Sequence, residues 1–294
     1  MNHEDFGKLV QVLRKEHRDE SDKIWTQEIL SQKTNLPKRT IGRIEDGTLQ
    51  KLDAAILLKL AEAFELTIME RKEFFFAAVG INDDRVAASR SSAVTILDPL
   101  IDTIESIELP VFVNDVYGDI ILANRSVIRL LEIPEKLLES ARNLPAGYNI
   151  MRLLFSPDSN FRDLTGVQWD SSARHNMQFF RGISLRYRLD PYFEYVLSAL
   201  RGFRMFRKYW EQACFNEDDS SADNVCYDYN HPTHGRLRYL ANISTTSTYM
   251  GGLYSVIYIP LNLHTTFVFK SIIKEEGCEV VRLASWPEKS PLLP

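Results

Sequence analysis

WTQEILSQKTNLPKRTIGRIEDG, residues 25–47, predicts two short helices joined by a turn. The apolar residues of this stretch would lie on one side of both helices: Ile29, Leu30, Leu36, Ile41 and Ile44. Thr26 has the side chain of a helix N-cap, and Pro37 fits the first turn of the second helix. The pattern therefore indicates a packed helix pair whose other face is polar and exposed.

The polar face of this helix pair carries residue types that contact DNA. Gln27 would lie at the N-terminus of the first helix, where free backbone N–H groups favour an anion such as phosphate. Lys38 and Arg39 would lie at the N-terminal end of the second helix, the end that a helix-turn-helix inserts into the major groove. Thr40 and Arg43 follow on the same side. We predict that these five residues bind DNA; the alternative is a helical hairpin with a solvated basic face.

From Thr26 to Gly47 the sequence resembles, without gaps, the Xre/Cro family of helix-turn-helix proteins, through its TQ pair and its TIxRIExG ending. The resemblance implies an all-α, five-helix DNA-binding domain. It also implies that Arg14 and Glu45 form an internal ion pair and do not contact DNA. The sequence departs from the family at Gly42, where a small polar residue is usual. It also departs at EHRDESDK, residues 16–23, which we expect to be a solvated loop.

The basic character of the chain is local. Residues 1–80 contain 13 Lys and Arg against 14 Asp and Glu, and the whole chain has a formal net charge of −5. A diffuse polyanion-binding function is therefore excluded. Between Ser31 and Ile44, however, four basic residues occur without an acidic one. Such a stripe makes few phosphate contacts, so we expect a homodimer on double-stranded DNA with a palindromic operator.

The length of 294 residues predicts two domains. Apolar residues at helical spacing predict a fourth helix from Leu52 to Phe64 and a fifth from Glu70 to Val79, which complete a DNA-binding domain at residues 1–80. Residues 81–95 are polar and predict a linker, with a helical extension as the alternative. Residues 96–294 would form the second domain.

The composition also predicts the subcellular location of the protein. No run approaches the roughly 20 apolar residues of a membrane-spanning helix, and MNHEDFGK lacks the apolar segment of a signal peptide. We therefore expect a cytoplasmic protein with no membrane partner. The cysteines are odd in number and not closely paired, which favours reduced thiols: Cys214, Cys226 and Cys278.

The second domain begins with a helix at Ile96–Ile107, followed by ELPVFVNDVYGDIILANRSVIRLLEI, residues 108–133. This stretch predicts a strand, a turn, a second strand and a helix. Alternating patterns predict two later strands in residues 234–243 and 253–261, with residues 244–252 between them. The opening resembles the start of a PAS domain, which implies a five-stranded antiparallel sheet that holds a small ligand under helices.

The second domain continues with an ordered series of short motifs: NxxRLLF at 149–155, Trp169, ARH at 173–175, FR at 180–181 and FRxxW at 206–210. Their order resembles the MmyB-like regulators, which join an Xre-type DNA-binding domain to a PAS-like ligand domain. The resemblance implies a multidomain protein in which the all-α domain precedes an α+β PAS-like domain with an extended helical cap. It also implies a sequence-specific transcription regulator controlled by a small ligand.

Aromatic residues concentrate in the expected cap, and an apolar pocket there would suit a fatty-acid-like ligand, since each buried methylene contributes about 0.8 kcal/mol. Arg152, His175 or Arg181 would hold its carboxylate, with arginine the better geometric match. The alternative is that the arginines connect helices and that most of the aromatic residues are core. The predicted ligand-binding residues are Arg152, Phe155, Trp169, His175, Phe179, Arg181, Phe206 and Trp210.

Other chemistries have little support in the sequence. His231 and His234 near Asp228 could meet a metal ion, but the intervening Pro and the following Gly indicate a turn and no spacing fixes a third ligand. No phosphate loop, nucleophile motif or Cys-Pro haem loop occurs. We therefore expect no enzyme and no firmly bound cofactor beyond a possible fatty acid. Two alternatives remain: a haem- or flavin-binding PAS sensor, and a ligand-free protein-interaction module.

Overall fold

The computed structural model describes residues 1–49, 51–80, 92–213, 224–249 and 251–291. Its first part is a helical region. The helices are α1 (His3–Glu16), α2 (Gln27–Thr34), α3 (Lys38–Glu45), α4 (Ala54–Ala63) and α5 (Ile68–Ala78). The five helices share one apolar core, in which Leu9, Ile41 and Phe74 are fully buried. The five predicted helices are therefore confirmed.

The ends of these helices follow from local capping. The Thr26 hydroxyl accepts a hydrogen bond from the Ile29 N–H, as predicted, and Asn35 ends α2 in the left-handed conformation. Helix α5 begins two residues before its predicted start, because Thr67 and Glu70 form a capping box. Pro37 immediately precedes α3 and does not lie within its first turn.

The charged loop expected at residues 16–23 is more ordered than its sequence suggested. Helix α1 continues to Glu16, and Arg18 then forms an antiparallel bridge with Ile24. The His17 ring stacks on the Trp25 ring at 4.6 Å and on the Phe64 ring at 5.7 Å. The connection is therefore a short hairpin anchored on the helical core by an aromatic stack.

The second part is an α+β region built on an antiparallel sheet. Over the described residues its strands are β1 (Val111–Asn114), β2 (Ile120–Asn124), β3 (Asn224–His231), β4 (Gly235–Thr248), β5 (Gly251–Pro260) and β6 (Val280–Arg282). They lie in the order β3-β4-β5-β1-β2-β6, and every pair is antiparallel. The predicted strands are confirmed, while β3 and β6 were not predicted. Residues 244–252, expected between two strands, are mostly the ends of β4 and β5.

Helices cover both faces of this sheet. They are α6 (Ala93–Ser106), α7 (Arg125–Leu130), α8 (Glu135–Ala141), α9 (Ile150–Phe155), α10 (Phe161–Thr165), α11 (Trp169–Ser184), α12 (Pro191–Arg201), α13 (Arg204–Gln212) and α14 (Leu263–Glu276). Val111 and Val113 face α6, whereas Phe112 faces the larger core under the cap. The alternation of β1 therefore separates two apolar layers.

The predicted linker needs one correction. Residues 81–91 lie outside the described residues, but Ala93 already begins α6, three residues before the predicted helix. The Ser92 hydroxyl caps α6 by accepting from the Thr95 N–H, which fixes the start of the helix. The last three residues assigned to the linker are therefore helical.

The two regions meet where the end of α11 packs on α5. Gly182 lies so close to Met69 that an added Cβ would come within 2.4 Å of the Met69 Cβ. Leu185, just after α11, is fully buried in the core of the helical region. One long helix of the α+β region therefore ends inside the contact with the helical region.

Among the described helices, none combines the length and apolar character needed to cross a membrane.

Candidate functional site

Helices α2 and α3 present an exposed basic surface. Lys38, Arg39 and Arg43 are exposed, and Thr40 is half-buried between them. Lys38 Nζ lies 3.1 Å from Glu28 Oε2 in an exposed pair. Neither Arg39 nor Arg43 forms an ion pair with any other described residue. The surface therefore offers two guanidinium groups that can engage an external anion.

The ion pair expected between Arg14 and Glu45 is confirmed. Arg14 Nε lies 2.6 Å from Glu45 Oε1, Arg14 Nη2 donates to Glu45 Oε2 at 3.0 Å, and both side chains are buried. Gln27 Nε2 also donates to Glu45 Oε2, at 2.9 Å. One carboxylate thus joins α1, α2 and α3. The Gln27 amide positions α2 against α3 in this structure, and its contact with phosphate stays a prediction.

A narrow apolar cavity lies between the β1–β2 hairpin and helices α7, α8 and α9. Its volume is about 60 Å³, and its walls include Val127, Leu131 and Leu138. Arg152, Ser156 and Asn149 also line it. Arg152 is half-buried, and its Nη2 lies 3.7 Å from Asp158 Oδ2, a loose pair. We call this the Arg152 cavity. It combines a mainly apolar lining with one cationic group, as an acyl carboxylate would need.

A second, smaller cavity of about 30 Å³ lies between the sheet and the cap. His175 and Phe179 of α11 line it, together with Tyr227 and Tyr258 of the sheet. Both cavities are far smaller than the roughly 300–1,000 Å³ typical of ligand pockets. A haem or flavin ring does not fit either of them. A flexible chain would require the walls of the Arg152 cavity to move apart.

Four of the predicted ligand-binding residues lie in the core and line neither cavity. Phe155, Trp169, Phe206 and Trp210 pack against one another and Tyr209, for example with the rings of Phe206 and Trp210 stacked at 5.7 Å. Edge and face contacts between their own rings fill the space around them, and their part in binding a ligand stays a prediction. Arg152, His175 and Phe179 do line cavities, and their part in binding a ligand stays a prediction.

Arg181 lies at the contact between the two regions and lines neither cavity. Its Nε lies 2.8 Å from Glu70 Oε1 of the helical region, and its Nη1 donates to the Trp210 carbonyl at 2.7 Å. Arg188 Nη2 reaches the same Glu70 oxygen at 3.0 Å, and Arg188 Nη1 lies 2.5 Å from Glu16 Oε2. The Arg181 guanidinium is therefore held in the contact between the two regions, and its part in binding a ligand carboxylate stays a prediction.

Glu70 is the centre of this contact, which we call the Glu70 junction (Glu70, Arg181, Arg188 and Glu16). Burial alone would raise the pKa of Glu70, but the two guanidinium groups bring that pKa below its ordinary value. Nearby, Arg186 Nε lies 2.6 Å from Glu73 Oε2, in a half-buried pair. Sequence reasoning missed Glu70 because it reads as an ordinary residue of a helix start.

Of the two histidines considered for a metal, His231 has both ring nitrogens within hydrogen-bond distance of backbone groups. His231 Nδ1 accepts from the backbone N–H groups of Thr233 and His234, and its Nε2 lies 3.0 Å from the Leu130 carbonyl. Asp228 accepts two hydrogen bonds from Arg236. These residues form the turn between β3 and β4. Cys226 and Cys278 are free thiols, and Cys214 lies outside the described residues.

Comparison with known families gives one match. The family model described as MmyB-like transcription regulator ligand binding domain matches residues 96–261, which is more than half of the chain. The matched range contains the sheet up to β5, the cap and both cavities. Among curated proteins, none matches the chain.

Proposed function

Since the chain belongs to the family of MmyB-like transcription regulators, whose ligand-binding domain spans residues 96–261, we propose that it is a sequence-specific DNA-binding regulator. In this proposal α2 and α3 form an Xre/Cro-type helix-turn-helix, with α3 in the major groove. The observation that carries it is the exposed basic surface, in which Arg39 and Arg43 make no ion pair with described residues. The Arg14–Glu45 pair supports it, because that pair fixes α3 against α1.

The proposed mode of DNA binding is a homodimer on a palindromic operator. Few cations face outward from one helix pair, so a single copy would gain little from phosphate contacts. Two copies on one face of the duplex would place their recognition helices about 34 Å apart, one helical turn. We propose no catalytic activity for this protein.

The α+β region is proposed to be a PAS-like sensor of a small apolar ligand. The central strand order, β3-β4-β5-β1-β2, supports a PAS-like sheet under a helical cap. The Arg152 cavity supports an acyl ligand, since a guanidinium is a good partner for a carboxylate and most of the remaining walls are apolar. An acyl chain would enter as α7 and α8 separate, because the present cavity holds too little space for it.

Helix α11 provides a direct route from sensor to DNA-binding region. His175 and Phe179 line the smaller cavity, and two to three residues later Arg181 and Gly182 contact α5. Phe112 lines both cavities. We propose that ligand entry into the Arg152 cavity shifts this shared wall and α11, and so changes the placement of the two DNA-binding regions in the dimer. A ligand acts in this way only if it binds one arrangement more tightly than the other.

A second function is favoured by the small cavities. A PAS-like domain whose pocket is filled by its own side chains would act as an interaction module for another regulator. Native mass spectrometry separates the two proposals. A lipid-mass species released on denaturation supports the apolar sensor, whereas no bound species, together with no binding of added C10–C18 fatty acids, favours the interaction module.

DNA binding is tested by selecting sequences from a random duplex pool with the full-length protein. The expected product is a palindrome whose half-sites are separated by about one helical turn. Enrichment of no sequence, or of single half-sites bound by a monomer, would overturn the proposed mode of DNA binding. The same protein with Arg39→Ala and Arg43→Ala provides the matched control that keeps the fold and loses the cations.

A further inference from the structure

The segment after β6 places an ammonium group between two buried carboxylates. Lys289 Nζ lies 2.7 Å from Asp115 Oδ2 and 2.9 Å from Asp119 Oδ2. The lysine side chain is only 8% exposed, and the two carboxyl side chains are 1% and 3% exposed. The Tyr192 ring centre is 5.5 Å from this ammonium, and the Tyr192 hydroxyl donates to Asp119 at 2.6 Å. We call Asp115, Asp119 and Tyr192 the ammonium cage.

The cage is built like a site that recognises an amine. Two carboxylates give charge-assisted hydrogen bonds to an ammonium, and the face of an aromatic ring attracts the same cation. Its backbone is firmly held, because the Asp115 carboxylate accepts from the N–H groups of Tyr117 and Asp119 in the turn between β1 and β2. With Lys289 in place, the cage holds two carboxylates against one ammonium.

The segment that supplies Lys289 is held by few contacts. Residues 283–291 contain no helix or strand. The N–H groups of Leu283 and Ala284 still bond to the sheet, and Trp286 packs at the edge of the core under α6. Over the described part of this segment, Lys289 makes the only ion pairs. Its ammonium therefore anchors an otherwise irregular stretch of chain.

Two open clefts flank this segment. One, of about 690 Å³, is lined by Asp5, Asp115, Asp190 and Trp286. The other, of about 390 Å³, is lined by Asp119, Tyr192 and Lys289. Both volumes fall within the roughly 300–1,000 Å³ of small-molecule sites. The cage thus lies between two clefts of ligand size, whereas the two apolar cavities described above are far smaller.

The charge of the larger cleft favours a cation. Asp5, Asp115 and Asp190 supply three carboxylates, whereas the cations are the Arg186 guanidinium, which already pairs with Glu73 at 2.6 Å, and the amino group of Met1. Tyr117 adds an aromatic wall, and its hydroxyl donates to Asp190 at 3.0 Å. An occupant with two cationic groups would therefore meet more than one carboxylate in this cleft.

We propose that the ammonium cage and the larger cleft form a binding site for an aliphatic diamine or polyamine, occupied here by the chain's own Lys289. One terminal ammonium replaces Lys289 between Asp115 and Asp119, and the second lies between Asp5 and Asp190. The second charge is needed, because a tethered lysine competes at an effective concentration on the order of millimolar. Asp5 belongs to α1, so the occupant would contact both regions. This proposal depends neither on DNA binding nor on an apolar ligand.

The test uses the full-length protein and Lys289→Met, which keeps the aliphatic stem and removes the charge. Titration calorimetry with 1,4-diaminobutane should show binding to Lys289→Met at least tenfold tighter than to wild type. Butylamine should bind the variant at least tenfold more weakly than the diamine, and 1,4-butanediol should not bind. Lys274→Met, which removes an exposed lysine of α14, is the matched control and should behave as wild type.

Two further measurements make the test decisive. Adding Asp115→Asn and Asp119→Asn to Lys289→Met should abolish diamine binding; retained binding would place the diamine elsewhere and overturn the proposal. If that variant does not fold, wild-type protein gives the answer through the rate of tryptic cleavage after Lys289. Diamine should increase this rate by releasing the lysine. No increase at 50 mM diamine, together with no binding to Lys289→Met, would likewise overturn the proposal.

Discussion

Arginines in two regions of the molecule have opposite environments. On α3, Arg39 and Arg43 are exposed and make no ion pair with described residues. At the Glu70 junction, Arg181 and Arg188 are buried and share one carboxylate. The residue type is the same, but only the first pair can engage an external anion. The difference shows that burial and partners decide whether an arginine stays available to an external anion or holds two parts of the protein together.

Exposed and buried arginines also differ in what they contribute to the free energy of folding. An exposed cation contributes little to folding, since pairing in water is worth only about 0–1 kcal/mol. A buried cation without its partner is costly, because it has lost its hydration. Substitutions on α3 should therefore affect binding and leave folding intact, whereas substitutions at the junction should affect folding first.

The largest effect is expected for Glu70→Ala. This change leaves Arg181 and Arg188 buried without their shared carboxylate, which should lower the free energy of unfolding by about 3–5 kcal/mol. Urea denaturation measures the loss. Glu62→Ala, an exposed position on α4, is the control and should change stability by less than about 0.5 kcal/mol. A loss below about 1 kcal/mol for Glu70→Ala would mean that water solvates the junction.

Asp115, Asp119 and Lys289 form a second buried charge cluster, in which two carboxylates face one ammonium. Burial raises the pKa of Asp115 from 3.8 to about 6, and the nearby Lys289 offsets this rise only in part. A raised carboxyl pKa means that the folded protein retains a proton that the unfolded chain releases. The associated stability is present below about pH 4 and is lost as the pH rises to 6.

This loss is testable with Asp115→Asn. Between pH 4 and pH 7 the free energy of unfolding should fall further in wild type than in the variant, by about 2–3 kcal/mol for a pKa shift of roughly two units. Glu70 gives the free energy of unfolding the opposite pH dependence, since its lowered pKa gives stability that is lost as the pH falls below 4.5. Equal pH profiles for wild type and Asp115→Asn would show that Asp115 has an ordinary pKa.

Sequence reasoning succeeded where structure is local. The helix pair at residues 25–47 follows from apolar spacing and a Thr26 cap within one short stretch, and the Arg14–Glu45 pair followed from the family pattern. Strands β3 and β6 were missed. The alternation in β4 and β5 was visible, but β6 has only three residues and pairs with β2 from far along the chain.

The site residues of the α+β region were harder to predict, because their roles depend on distant partners. Arg181 meets Glu70 across 111 positions, and no spacing rule brings those residues together. Phe155 and Phe206 looked equally suited to a pocket or a core until their contacts were known. Lys289 lies 170 positions from Asp119, so its burial could not be inferred from the sequence.

At the exposed surface of α3, Arg39→Ala should weaken binding to the selected operator by about 1–3 kcal/mol, which is roughly 5- to 150-fold. The preference at one base pair of each half-site should relax as well. Fluorescence anisotropy at fixed salt measures both effects, and the urea midpoint should stay unchanged because Arg39 is exposed. Unchanged affinity and preference would mean that α3 docks in another register.

The smallest effect is expected at Gly42, in the middle of α3, where folding and binding should respond in opposite directions. A Cβ added there would make only an ordinary contact, 3.8 Å from Gln27 Oε1. Gly42→Ala should therefore raise the free energy of unfolding by up to about 1 kcal/mol, since glycine is a poor helix residue. If the backbone of α3 approaches DNA closely here, the same variant should bind its operator more weakly. Higher stability with unchanged affinity would show that DNA lies farther from this side of α3, and the exposed arginines would then make the contact alone.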